Sequence, residues 1–190
     1  RLVTVTGFGG MGKTELAKEA GRWFRERPWL PEGPCFPDGI HIVELRAIPS
    51  ADQARVLIGS ALWFPPESYK TSQDLAGALA GSRRLLILDD LDEAVDGDRK
   101  GVRALLQTLL EHADHCRFLV TTRLPPGGVP ERRHTVHGMS LWEAAILFRE
   151  WAILGAEAYL PEPLARLYSL QVSLMKAYQD GKIPDPWRAF

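Results

Sequence analysis

A chain of 190 residues is one domain with room for a small appendage, and it can bury a core without disulfide or metal staples. With 45% hydrophobic and 25% charged residues it is excluded from the disordered, collagen-like and coiled-coil classes. Lys and Arg number 23 against 24 Asp and Glu, a net charge of −1, so no global basic field exists to hold nucleic acid.

Leu2–Thr6 is a β-branched run ending in glycines and reads as a buried strand. Over Thr14–Arg27 the residues Leu16, Ala17, Ala20, Trp23 and Phe24 recur at helical spacing, with Trp23 expected on a buried face. The proline-rich stretch 28–39 is a loop, and Ile40–Leu45 is a second strand. Ser50, with Gln53 three residues on, caps a helix that runs to about Leu62. Pro65-Pro66 breaks the chain, and Ser72–Leu79 is a short helix. Leu85–Leu88 is wholly apolar, as a central strand of a parallel sheet must be. Residues 100–114 form an amphipathic helix and Arg117–Thr121 a fourth strand. Residues 122–133 are a loop, and Thr135-Val136 is at most a short fifth strand. Ser140–Trp151 and Pro163–Gln179 read as helices. Alternating strands and helices make an α/β domain with a parallel sheet.

Residues 7–14 read GFGGMGKT, which satisfies two motifs. Gly7, Gly9 and Gly12 match the dinucleotide fingerprint; Gly7, Gly12, Lys13 and Thr14 match the phosphate-binding P-loop. The dinucleotide reading needs an acid at the end of the second strand, about 20 residues on. Glu26 has that spacing but lies in the first helix, and Glu44 lies too far along. The P-loop reading needs a distant apolar strand ending in an acid, and LLILDD at Leu85–Asp90 supplies it. Glycines let successive backbone N–H groups turn inward around an anion, and the following helix adds its positive end. The phosphate-facing stretch is therefore Gly7, Phe8, Gly9, Gly10, Met11, Gly12, Lys13, Thr14 and Glu15. Lys13 reaches the β- and γ-phosphates, and Thr14 with Asp89 holds Mg²⁺. Asp90 is placed to polarise an attacking water, while Asp92 and Glu93 read as solvated. Arg123, at the end of the fourth strand, faces the γ-phosphate. A guanine motif, a transporter signature and a serine-nucleophile elbow are all missing from the chain.

GFGGMGKT, LLILDD and LVTTR in this order resemble the STAND class of signalling NTPases, of NB-ARC or bacterial AP-ATPase type. The resemblance spans about residues 1–150. It implies a three-layer P-loop NTPase sandwich with a five-stranded parallel sheet in the order 5-1-4-3-2. The core would occupy 1–138, and 139–190 would begin a small helical subdomain. It also implies ATP and ADP as ligands, slow Mg²⁺-dependent hydrolysis, and a switch that controls assembly or signalling. On the same basis Asp90 is the base, Lys13 and Arg123 assist, and the partners are effector and sensor domains of one longer chain. A nucleotide-dependent homo-oligomer is a further partner of that kind. The family's Gly-x-Pro-Leu motif has its nearest match at Glu162–Ala165, where the glycine is missing. The alternatives from the residues alone are a module that holds ADP without hydrolysing it, and a phosphotransferase. Two cysteines, Cys35 and Cys116, point to a reducing setting and so to the cytoplasm. No apolar run reaches the ~18 residues that span a bilayer. The chain opens at Arg1 directly on its first strand and reads as a piece of a longer protein.

Overall fold

The order of apolar residues in the LLILD run decides the architecture. Strand β1 is Leu2–Thr6, β2 Ile40–Glu44, β3 Leu85–Asp89, β4 Arg117–Thr122 and β5 Glu131–Thr135. Helix α1 is Lys13–Glu26, α2 Ala51–Ala61, α3 Ser72–Leu79 and α4 Asp92–His112. The structure, a computed structural model, describes residues 1–26 and 34–138. All five strands run parallel in one sheet, ordered β2-β3-β4-β1-β5. That is the expected 5-1-4-3-2 order read from the other edge.

Successive side chains of β3 point to opposite faces, and both faces are covered. Leu85 and Ile87 meet Ala17 and Phe24 of α1. Leu86 and Leu88, with Phe118 and Val120 of β4, form one core with Ile58, Leu75, Leu79, Leu105, Leu106 and Leu109 from α2, α3 and α4. The result is a three-layer α/β sandwich. Its strand C-termini all open on the same edge, at the glycine loop and the ends of β3 and β4.

Four local readings change. Leu16 and Trp23 of α1 are exposed, and Ala17 and Gly21 make the sheet contact. A side chain at Gly21 would come within 3.0 Å of Ile87 Cδ1, so the helix lies too close for large residues. Helix α4 starts at Asp92, eight residues before the expected 100. Asp92 and Glu93 suit its positive N-terminal end, and the path breaks at Asp98 (φ −143°, ψ 60°). The Asp98 carboxylate accepts from Gly101 N at 2.9 Å and so caps the second half. Gly97 allows the first half to approach Pro49, whose carbonyl a Cβ would meet at 2.4 Å. Strand β5 covers Glu131–Thr135, where loop was expected to 133 and strand only at Thr135-Val136; its polar residues hid it, because it lies mostly exposed at the sheet edge, paired only with β1. After Pro65 a single 3-10 turn, Pro66–Tyr69, forms where only a break was expected. The helices expected over 140–151 and 163–179, and the Glu162–Ala165 motif, lie outside the described residues.

Candidate functional site

The stretch after β1 turns back on itself before α1 begins. Gly10 and Gly12 take φ of 77° and 83°, in the left-handed region that glycine enters without steric cost. The turn opens a cavity of about 320 Å³ over the start of α1. Gly9, Gly10, Met11, Gly12, Lys13, Thr14 and Glu15 line it from the loop side. Arg46, Asp90, Asp92, Thr121 and Arg123 line it from the ends of β2, β3 and β4. Gly7 and Phe8 border an adjoining cavity of about 500 Å³, which Met11, Val136 and His137 also line. The parallel sheet therefore brings Lys13, Thr14, Asp90 and Arg123 to one cleft from positions more than 100 residues apart.

Asp89 does not line this cavity; it is buried at the end of β3, directly behind two residues that do. Its Oδ1 accepts from Thr14 Oγ1 at 3.0 Å and from Thr121 Oγ1 at 2.6 Å. Its Oδ2 has no protein partner among the described residues. Lys13 Nζ lies back on the loop, donating to the carbonyls of Gly7 (2.9 Å) and Phe8 (3.1 Å).

Asp90 takes φ 59°, a left-handed conformation that aspartate tolerates better than most residues. Its N–H donates to Thr121 Oγ1 at 2.9 Å, which holds that backbone in place. Its Oδ2 accepts from Arg46 Nε at 3.0 Å. The hydrogen bond to Asp90, and then the attraction of its charge, hold the Arg46 guanidinium above its ordinary pKa.

Arg123 meets a different acid. Its Nε lies 3.1 Å from Asp92 Oδ2. Asp92 Oδ1 accepts from the Arg123 backbone N–H and from Thr122 Oγ1 (2.8 Å). The Asp92 side chain is only 13% exposed, so its expected solvated state is corrected: it is an internal acceptor that ties α4 to the end of β4. Motif reading misses Arg46 altogether, and gives no role to Thr121, inside LVTTR, or to Asp92. Arg46 and Thr121 lie at or just beyond strand ends, and in a parallel sheet those positions share one edge with the loop. For Arg46 that placement was the only sequence signal.

The donor set suits a magnesium ion. Mg²⁺ takes hard oxygen ligands, usually one or two from the protein with the rest from phosphate and water. Thr14 Oγ1 and the half-used carboxylate of Asp89 are such a pair.

No family model matches the chain. Over 147 residues it is 32% identical to a Mycobacterium tuberculosis (strain H37Rv) protein named as an HTH-type transcriptional regulator, and equally to one from Mycobacterium bovis. The match covers 77% of this chain but only about 15% of the length of those relatives. Among solved structures, the Aeropyrum pernix ORC2 protein, in complexes with ADPNP and ADP, aligns at TM-score 0.56 and 15% identity. That alignment covers 80% of this chain and 46% of the other. Drosophila ORC bound to DNA aligns at TM-score 0.58 and 15% identity, over 94% and 51%. What the chain shares with these two structures is its fold, the α/β sandwich of P-loop NTPases.

Proposed function

We propose that the chain is the nucleotide-binding segment of a longer regulatory protein, a switch of STAND type that binds ATP or ADP with Mg²⁺ and hydrolyses ATP slowly. One observation carries this reading: the hydroxyl of Thr14, in the glycine loop, meets the buried carboxylate of Asp89, 75 residues away, at 3.0 Å. A strand-end turn of other purpose has no use for that pair beside a lysine that rests only on carbonyls of its own glycine loop. In this reading the backbone N–H groups of Gly9–Thr14 and the N-terminal end of α1 cradle the phosphates. Lys13 leaves the Gly7 and Phe8 carbonyls for the phosphate oxygens. Thr14 and Asp89 hold Mg²⁺, which when bound neutralises charge on the phosphates. Asp90 accepts the proton of a water that attacks the terminal phosphorus as the bond to the bridging oxygen breaks. Arg123, held by Asp92, presents its remaining N–H groups to the terminal phosphate. The relatives' name suggests that the output is control of transcription, exerted by parts of the longer protein. The setting would be the cytoplasm, with effector and sensor domains and a homo-oligomer as partners.

The test is to denature the purified protein and identify any nucleotide released, then to measure ATP turnover with Mg²⁺. We expect ADP in near-equal amount, or binding of added ADP, and slow turnover. A protein that binds neither ADP nor ATP overturns the reading. A module that holds ADP without hydrolysing it is favoured by the engagement of Asp90 with Arg46. Absence of any turnover at saturating ATP would select it.

A further inference from the structure

Three cations face the cleft, and each rests on an internal acceptor of different strength. Lys13 lies on two loop carbonyls. Arg123 lies on Asp92, which is largely buried and accepts two further hydrogen bonds from the same turn. Arg46 lies on Asp90 through Nε alone, and its side chain is 81% exposed. Both terminal amino groups of Arg46 have no protein partner among the described residues. Both guanidinium groups are exposed and each makes one Nε contact, but Asp90 is 27% exposed against 13% for Asp92, whose carboxylate is also fixed by two further bonds, so the Arg46 pair is the more easily exchanged.

We infer that Arg46, beside Arg123, is a residue by which the site distinguishes a nucleoside triphosphate from a diphosphate: it moves from Asp90 to the terminal phosphate. The inference rests on the nucleotide reading above and adds a residue to it. Arg46 lines the same 320 Å³ cavity as Lys13, Thr14 and the glycines, opposite the loop. A terminal phosphate placed between the loop and β4 adds an anion within the same small cavity. A guanidinium gives phosphate two parallel hydrogen bonds, against the one it gives Asp90 here. A diphosphate ends short of that position, so Arg46 stays on Asp90. The exchange has a second effect. When Arg46 leaves, the Asp90 carboxylate is free to accept a proton, while its backbone stays tied to Thr121. One movement then reads the third phosphate and releases the base, and Arg46 acts on hydrolysis as a positioning residue.

The experiment compares the affinities of Mg·ADPNP and Mg·ADP for the purified protein and for Arg46→Ala, Arg46→Lys and Asp90→Asn. Lys13→Ala is the control for the site. In Arg46→Ala the preference for ADPNP over ADP should fall about tenfold, the size of one or two charged hydrogen bonds. Arg46→Lys should recover part of it. Asp90→Asn should raise it, because Arg46 is released without a competitor; a residue needed only for folding would not give opposite signs at two paired positions. An unchanged ratio in Arg46→Ala, with tight binding in the parent and loss in Lys13→Ala, overturns this inference alone. A parent protein that binds neither nucleotide overturns the site reading, and the role of Arg46 falls with it.

Discussion

Lys13 is the one loop side chain whose charge can travel to a phosphate, because its present partners are neutral carbonyls of its own loop. Lys13→Ala should therefore abolish binding of ATP and ADP alike in a fluorescence titration, while the unfolding midpoint of the unliganded protein barely moves. Asp92→Ala should behave in the opposite way. It removes the acceptor of the Arg123 N–H and leaves Thr122 Oγ1 only the Leu124 carbonyl, and should cost about 1 kcal/mol in urea unfolding. Asp90→Ala should preserve nucleotide binding and slow turnover, since its carboxylate contacts Arg46 and makes no bond to the loop. Unchanged turnover would remove Asp90 as the base.

At the level of elements, caps decide where helices begin more than hydrophobic spacing does. Helix α3 has only eight residues and starts with a full capping box: Thr71 Oγ1 accepts from Asp74 N at 3.1 Å, and Asp74 accepts from Thr71 N at 2.8 Å. Thr71→Ala should cost about 1 kcal/mol, read as a lower denaturant midpoint at unchanged slope. Helix α4 shows the converse. Its start has no capping side chain, yet the first turns form because Leu91, Ala94 and Val95, at helical spacing, all reach the core and Gly97 allows close contact with Pro49. The early start of α4 is what places Asp92 beside Arg123. A missed helix boundary and a misread acid therefore have one origin.

Across the whole molecule, stability and site geometry share the β3–β4 pair. Leu86 is fully buried on the face shared by three helices, and Leu86→Ala should cost about 2–5 kcal/mol in equilibrium unfolding. Because Asp89 lies three residues further along the same strand, that variant should also weaken nucleotide binding. Excess Mg·ADP should recover much of the lost thermal stability, as a ligand that binds only the folded state must. Failure of ADP to raise the midpoint of the parent protein would count against the nucleotide reading.

The glycine loop, the apolar strand ending in Asp89-Asp90 and the order of strands and helices were all legible in the chain. They depend on residues close in sequence, where glycine geometry, alternation and apolar runs act directly. The sheet order agreed because a parallel α/β chain with such a loop has few ways to wind. What the tertiary structure alone decided is who pairs with whom across the cleft. Arg46 belongs to no motif, and Asp92 looks like one more surface acid in an acidic run. Only the folding of β2, β3 and β4 to a common edge brings Arg46 to Asp90 and Arg123 to Asp92. The partners are 44 and 31 positions apart, beyond the reach of any local pattern.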